Sequence, residues 1–439
     1  MPSRPLVILH GWSDHSESFK PLARVLKSQL QVETRIISLA DYESMDDAVT
    51  FDDLARAMSR AWAREKLPTN PGSVDAVVHS TGGLVIRAWV AKNFKPDTVP
   101  IKNIAMLAPA NFGSPLAHKG YSFIGRVVKG WKSEKRFETG EKLLKGLELA
   151  SPYTWDLAMR DRFGRDDFYG KGRILCTVLV GNSGFNGISA AANEEGSDGT
   201  VRVSTANLNC AYLDADFATD PRAPRTKLTL SEGNVAFGVM GGENHRTIRG
   251  KFQNADTLKF LLKGLTVRDD EFQAWCNELG KHTASTMKDG AGKLYTHGFQ
   301  NTVVLVRDDA GSDVRDYFIE FYVEGRKSGW FEEMFHEEVI RTVHPHTDAS
   351  AYRSILIDCT RLHEEVQKKN GRMKVSLTAF PEFLKNRNVG YRTFADADIG
   401  GIPIPFEKLK NWFQENRTLL VRITLRREQA DSIFRFSRS

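Results

Sequence analysis

The stretch that decides the fold is residues 77–87, which read Val77-Val78-His79-Ser80-Thr81-Gly82-Gly83-Leu84-Val85-Ile86-Arg87. A β-branched run ends at its start, and a helical pattern begins near its end. Between them a serine precedes two glycines, and small residues let a chain turn sharply from a strand into a helix. A serine that only caps the helix would also fit, so this stretch alone predicts the turn and leaves its chemistry open.

The residues around this stretch alternate between short β-branched runs and longer helical patterns, which indicates βαβ units and a parallel sheet covered on both faces. The helix pattern at residues 51–65 places Leu54, Met58 and Trp62 on one face at a spacing of four. The predicted strands are Leu6–Leu9, Thr34–Leu39, Val74–Val78, Ile104–Leu107, Ile174–Val180 and one near Val235–Val239. In such a sheet, functional residues gather at the carboxyl ends of the strands.

Two loops at those ends carry polar groups suited to acyl transfer. Asp198, in Ser197-Asp198-Gly199-Thr200-Val201, follows the fifth predicted strand, and His245, in Asn244-His245, follows the last. A serine hydroxyl needs a base to accept its proton, and an imidazole base needs a carboxylate to hold its tautomer. The chain order Ser80, Asp198, His245 therefore predicts a nucleophile, an orienting carboxylate and an acid–base group. Taken singly, each residue would fit an ordinary loop.

The first strand runs into His10-Gly11-Trp12. A developing oxyanion needs two fixed backbone N–H groups, one from the residue after the nucleophile and one from such a loop. This predicts the N–H groups of Thr81 and Trp12 as donors.

These segments, with Leu107-Ala108-Pro109-Ala110-Asn111-Phe112-Gly113-Ser114-Pro115-Leu116-Ala117, resemble the lipase and esterase branch of the α/β-hydrolase superfamily. The resemblance covers residues 1 to about 264. It implies a doubly wound, mostly parallel sheet with a helical cap, and hydrolysis of carboxylic esters through an acyl-enzyme. Ser80, Asp198 and His245 would be catalytic, while His10, Gly11, His79 and Gly82 would shape the loops around the substrate. One position departs from the usual pattern, because Val78 stands where glycine is usual. The resemblance implies neither a metal nor an organic cofactor.

The expected organisation is a catalytic domain at 1–264 with a cap insertion at about 113–172, a helical connection at 265–300 and an accessory domain at 301–439. In the last region, period-two alternation predicts a mostly antiparallel β-sandwich. One such run has Leu419, Val421, Ile423 and Leu425 on a single face. Aspartates in its loops, among them Asp308, Asp309, Asp313, Asp396 and Asp398, are more simply solvated turns than calcium ligands.

The net charge of +6 is too small to require nucleic acid as a partner. It is concentrated in the cap, where the window 119–145 holds eight basic and three acidic residues with an apolar face. Such a segment suits an anionic lipid surface, and equally a cap helix that packs over the active site. The four separated cysteines and the lack of a signal-peptide pattern or a membrane-spanning run predict a cytoplasmic protein, or one exported without a cleavable signal.

The sequence therefore predicts a serine hydrolase that acts on carboxylic esters, with lipid esters favoured as substrates. An acyltransferase would use the same three residues, and a non-catalytic binding protein could retain the same fold. Both stay open as alternatives at this point. The partner of the C-terminal domain is unknown.

Overall fold

The computed structural model describes residues 4–11, 16–37, 48–117, 140–220, 223–288, 297–323, 338–368, 373–383, 388–392, 402–404, 406–433 and 437. The chain divides into two compact units. The first consists of Met1–Cys210 and Ser231–Thr296, and the second of Ala211–Leu230 and His297–Ser439.

The first unit is built on a parallel sheet with the strand order β2-β1-β3-β4-β5-β8. Its strands are β1 (Leu6–Leu9), β2 (Thr34–Ile37), β3 (Val74–His79), β4 (Ile101–Leu107), β5 (Leu175–Gly181) and β8 (Ala236–Met240). Every residue of β1 and β5 is buried, as expected when helices cover both faces of a parallel sheet. The predicted α/β sheet is confirmed, with strand ends that move by three residues or fewer.

Helices of the first unit connect and cover these strands. They are α1 (Ser16–Leu30), α2 (Phe51–Arg64), α3 (Gly82–Asn93), α4 (Glu141–Leu147), α5 (Pro152–Asp161), α6 (Val203–Ala206), α7 (Ala255–Thr266) and α8 (Phe272–Lys288). Helix α2 starts with a capping box in which Thr50 and Asp53 satisfy each other's backbone N–H groups. It buries Leu54, Met58 and Trp62, the face that the sequence predicts.

The first unit ends later in the chain than the catalytic domain expected from the sequence. Helix α8, predicted as a connection between domains, belongs to the first unit. Its Thr283 hydroxyl accepts the Val239 N–H of β8 at 3.1 Å. None of the helices in the described ranges has the length and apolar character that a bilayer crossing requires.

The hairpin of β6 (Ala211–Asp216) and β7 (Arg225–Leu230) is a second difference. Residues 211–230 lie within the catalytic domain predicted from the sequence, but this hairpin joins a sheet of the second unit. Its apolar residues Ala211, Leu213 and Ala215 are buried in that unit's core. Because these alternate residues are buried in the core of the second unit, the hairpin belongs to that unit.

The second unit contains a mixed sheet and a smaller antiparallel sheet. The mixed sheet has the order β11-β12-β9-β16-β6-β7, with β14 also paired to β16. Its other strands are β9 (Phe299–Asp308), β11 (Ile340–Pro345), β12 (Tyr352–Asp358), β14 (Val389–Arg392) and β16 (Thr418–Gln429). The smaller sheet consists of β10 (Tyr317–Val323), β13 (Met373–Ala379) and β15 (Ile402–Ile404). The described part of the second unit also contains helices α9 (Cys359–Lys368) and α10 (Phe406–Trp412).

The alternating face of β16 is buried as the sequence predicts, and both sheets contribute to the same apolar cluster. The pairing is not antiparallel throughout, however, because β16 runs parallel to both β9 and β6. The other strand pairs described in the second unit are antiparallel, so its sheets are mostly antiparallel as the sequence predicts.

Candidate active site

The turn at Ser80 joins β3 to α3 and has a strained backbone. Ser80 has a φ of 55°, in the left-handed region that non-glycine residues rarely adopt. Hydrogen bonds hold this conformation: the Ser80 N–H donates to the Leu107 carbonyl at 3.1 Å, and the Ser80 carbonyl accepts the N–H groups of Gly83 and Ala110. Strain held in place by its surroundings in this way is common at functional sites.

Three glycines allow this turn to pack closely. A Cβ atom on Gly11 would lie 2.8 Å from the Ser80 Cβ, and one on Gly82 would lie 2.9 Å from the Leu9 carbonyl oxygen. A Cβ atom on Gly83 would lie 2.8 Å from the Pro109 side chain. Val78, at the position where glycine is usual, is fully buried in β3. The sharp turn therefore forms without a glycine at that position.

The structure brings the three predicted catalytic residues into one hydrogen-bonded chain. The Ser80 Oγ lies 3.1 Å from the His245 Nε2, and the His245 Nδ1 lies 2.9 Å from the Asp198 Oδ2. Asp198 is fully buried, and His245 is 8% exposed. The imidazole thus lies between the hydroxyl and the carboxylate, with one ring nitrogen facing each.

The loop that carries Asp198 is held by its own hydrogen bonds. The Asp198 Oδ1 accepts the N–H groups of Thr200 and Val201 at 3.0 and 2.7 Å, which leaves Oδ2 directed at His245. The two ends of the loop are joined by an ion pair in which Arg202 donates to both carboxylate oxygens of Glu194, at 2.9 and 2.6 Å. The two backbone N–H groups therefore fix the orientation of the Asp198 carboxylate toward His245.

His10 and His79 lie beside the catalytic groups in a cluster of aromatic rings. The His79 ring is 4.6 Å from the His245 ring, and its Nε2 lies 3.0 Å from the His245 carbonyl oxygen. Phe19 contacts both His79 and His10, at ring distances of 5.6 and 5.3 Å. Burial, followed by the charge of His245, holds the pKa of His79 well below its usual value. A neutral His79 donates from Nε2 and so supports the backbone of His245.

Of the two predicted oxyanion donors, one lies in the described part of the chain. Thr81 is buried at the start of α3, and its N–H has no hydrogen-bond acceptor among the residues that the structure describes. Trp12 lies outside the described residues, as does segment 118–139, which holds most of the basic window.

The carboxylates of two loop aspartates in the second unit accept hydrogen bonds from backbone N–H groups or pair with arginines. The Asp308 side chain accepts the N–H groups of Ala310 and Ser312 at 3.1 and 2.7 Å and contacts Arg427 at 3.3 Å. Asp313 pairs with Arg307 at 2.8 Å. These contacts agree with the simpler reading of the loop as a turn. Asp396 and Asp398 lie outside the described residues.

A buried ion pair on the helix that follows Ser80 is not among the features predicted from the sequence. Arg87 on α3 donates to both Asp161 carboxylate oxygens, at 2.8 and 2.9 Å, and to the Asn111 carbonyl oxygen at 2.8 Å. Burial by itself lowers the pKa of Arg87, but the Asp161 charge outweighs burial and the pKa is raised. A signal was present in the sequence, since Arg87 is the one charged residue in the apolar run 84–90.

A comparison with protein families matches part of the first unit. Residues 6–171 match the model described as the α/β hydrolase family. The parallel sheet and the turn at Ser80 agree with this match, so the first unit has an α/β-hydrolase fold.

A solved structure is similar over nearly the whole chain. Phospholipase PlaB from Legionella pneumophila aligns with a TM-score of 0.82 and 24% sequence identity, covering 99% of this chain and 96% of that one. PlaB in complex with thio-NAD aligns with a TM-score of 0.79 and the same identity and coverage. This similarity shows the fold. No curated protein matches the sequence.

Proposed function

We propose that this protein is a serine hydrolase that cleaves carboxylic esters, with lipid esters as its substrates. The observation that carries the proposal is the chain of contacts from the Ser80 Oγ through His245 to the buried Asp198. An imidazole between a hydroxyl and a carboxylate can take the hydroxyl proton while the carboxylate stabilises the resulting charge.

In the first step, Ser80 attacks the ester carbonyl carbon while the His245 Nε2 accepts its proton. The carbonyl oxygen becomes negatively charged, and the Thr81 N–H, together with the Trp12 N–H predicted from the sequence, would stabilise it. As the tetrahedral intermediate collapses, the ester C–O bond breaks and His245 returns the proton to the leaving alcohol. The acyl group then remains on Ser80.

In the second step, water replaces the alcohol. His245 accepts a proton from the water as it attacks the acyl-enzyme, and it gives that proton back to the Ser80 oxygen when the acid leaves. Asp198 keeps its charge throughout and holds the Nδ1 proton of His245, so that Nε2 faces the reacting groups.

Two observations favour lipid esters. The similar structure of PlaB is named a phospholipase. In addition, the window 119–145 combines basic residues with an apolar face, which suits a surface of anionic lipid. An acyltransferase would use the same acyl-enzyme with another acceptor, so the products must be identified as well as the rate measured.

The test compares the wild type with Ser80→Ala on p-nitrophenyl esters of increasing acyl length, with product analysis in the presence of an added alcohol. Ser73→Ala, which changes a half-buried serine outside the site, serves as the matched control. We expect Ser80→Ala to lose activity by about 10⁴-fold or more, and the wild type to release free acid. Equal rates for Ser80→Ala and the wild type would refute the assignment.

The basic window is tested separately. Replacing Lys129, Lys132, Lys135 and Arg136 by glutamine should weaken binding to vesicles of phosphatidylglycerol, and the wild-type binding should weaken as salt rises. Binding that ignores both the substitutions and the salt concentration would exclude this window as the lipid contact.

A further inference from the structure

The loop that carries His245 runs from the end of β8 to the start of α7 and contains a fully buried glutamate, Glu243. The Glu243 Oε1 accepts the Asn254 N–H at 2.9 Å and the Thr257 hydroxyl at 3.0 Å. Both donors lie at the start of α7, where Asn254 is the N-cap residue. The Glu243 carboxylate therefore joins this loop to the helix.

Contacts in both directions close the loop at its base. The Asn254 backbone donates to the Glu243 carboxylate, while the Asn254 Nδ2 donates to the Gly241 carbonyl oxygen at 3.0 Å. Residues 241–254 thus form a loop whose two ends are hydrogen-bonded to each other. His245 lies inside this loop, two residues after Glu243, so a change at the base of the loop is transmitted to the imidazole.

The turn at residues 244–247 is held together by its own hydrogen bonds. The Asn244 Oδ1 accepts the N–H groups of Arg246 and Thr247 at 2.9 and 3.1 Å, and the Thr247 Oγ1 accepts the Asn244 N–H at 2.9 Å. Bonds within four residues fix the shape of this turn, but they do not fix its position relative to Ser80. That position depends on contacts between the turn and other segments.

Backbone contacts supply part of this attachment. The Ser183 N–H donates to the Glu243 carbonyl oxygen at 3.0 Å, and the His245 N–H donates to the Asp198 carbonyl oxygen at 3.0 Å. The Glu243 carboxylate adds an attachment to a different element, helix α7. Loss of the carboxylate would therefore loosen the position of His245 without releasing the loop altogether.

The other carboxylate oxygen of Glu243, Oε2, is buried and has no hydrogen-bond partner among the residues that the structure describes. Burial of a polar oxygen without a partner costs free energy. In a capping box, the acceptor for the N-cap N–H comes from the third residue of the same helix. That residue here is Thr257, and Glu243 supplies the acceptor from the His245 loop instead. A cap for the helix alone would not require a residue from this loop.

We propose that Glu243 is a positioning residue, whose bonds to the start of α7 hold the His245 imidazole between Ser80 and Asp198. The inference rests on the proposed ester hydrolysis. The imidazole lies 3.1 Å from the Ser80 Oγ and 2.9 Å from the Asp198 Oδ2. A displacement of about 1 Å would break such a hydrogen bond and can lower a rate by about 100-fold.

The test compares the wild type with Glu243→Ala and Glu243→Gln on p-nitrophenyl butyrate, at a temperature where circular dichroism shows each variant fully folded. We expect Glu243→Ala to lower kcat by about 10- to 100-fold and to change KM by about twofold or less, because ester binding does not need the base. Glutamine can place its carbonyl oxygen at the position of Oε1 and accept the same two bonds. Glu243→Gln should therefore restore kcat to within about threefold of the wild type.

The matched control changes a buried side chain at the opposite end of α7. The Asn103 Nδ2 donates to the carbonyl oxygens of Gly264 and Val267 at 3.1 and 2.9 Å. Asn103→Ala should lower the melting temperature and leave kcat unchanged. A Glu243→Ala variant that also loses only melting temperature would overturn the inference, because Glu243 would then serve the helix alone. Equal losses of kcat in Glu243→Ala and Glu243→Gln, or in Glu243→Ala and Asn103→Ala, would overturn it as well.

Failure of this inference and failure of the proposed function give different results. A wild type that hydrolyses p-nitrophenyl butyrate through Ser80, with the same kcat in Glu243→Ala, refutes the positioning role alone. A wild type that hydrolyses no ester, or whose rate survives Ser80→Ala, refutes the ester hydrolysis on which the inference rests.

Discussion

Replacing Asp198 by asparagine tests the proposed mechanism at a single atom. The Asp198 Oδ1 accepts two backbone N–H groups, so an asparagine at 198 must place its carbonyl oxygen there. Its NH₂ group then points toward the His245 Nδ1, 2.9 Å away in the native protein. An NH₂ group can only donate, which forces Nδ1 to be the acceptor and moves the ring proton to Nε2. Nε2 then faces Ser80 with a proton and cannot accept another.

The expected loss follows from this tautomer. An imidazole held in the wrong tautomer costs about 10⁴-fold in kcat in a serine protease, equivalent to about 5 kcal/mol of activation free energy. We expect a similar fall for Asp198→Asn, measured as the initial rate on p-nitrophenyl butyrate at pH 7, with little change in the unfolding midpoint. Asp166→Asn, at an exposed carboxylate, is the control. If Asp198→Asn kept activity within tenfold of the wild type, His245 would not act as the base.

Three other changes test the packing around the site. Gly11→Ala places a Cβ atom 2.8 Å from the Ser80 Cβ, so both stability and kcat should fall. We expect urea unfolding to show a loss of about 1–3 kcal/mol in the free energy of unfolding. An unchanged stability and kcat would contradict the close approach of Gly11 to Ser80. Arg87→Met leaves the Asp161 carboxylate buried without its partner and should lower the free energy of unfolding by about 3–5 kcal/mol. The double variant Arg87→Met/Asp161→Leu should recover much of this loss. Equal losses in both variants would argue against this explanation. Because the pKa of His79 is lowered from 6.5, the unfolded state takes up the proton first, and stability should fall as pH drops below about 6.5. His79→Gln should reduce this slope in melting temperature between pH 5 and 7, and an unchanged slope would assign the pH dependence to other groups.

The sequence predicts the parts of this protein that depend on local pattern. Alternating β-branched runs and helical faces determine the parallel sheet, and the glycines after Ser80 determine the sharp turn. The order of Ser80, Asp198 and His245 is informative because parallel strands bring their carboxyl ends to one edge of a sheet. The structure places the His245 ring within hydrogen-bonding distance of both Ser80 and Asp198.

Other features depend on partners far apart in the chain, and the local pattern does not specify them. Hairpin 211–230 follows the fifth strand of the first sheet, yet it pairs with β16, and Arg422 there donates to the Asp214 carboxylate at 3.0 and 2.6 Å. Alternation marks a strand, but it does not show which neighbour the strand will have or in which direction. The mixed direction of the second unit's sheet is hidden from the sequence for the same reason.

The burial of charged residues is another feature that the local sequence pattern does not specify. Arg87 and Arg202 are two basic residues among many in the sequence, and only the tertiary structure buries them against Asp161 and Glu194. The sequence by itself therefore determined the sheet, the strained serine and the order of the reacting groups, because each depends on neighbouring residues. Only the tertiary structure decided which charges are buried and which hairpin joins the second unit, because burial and strand pairing arise when distant segments pack together.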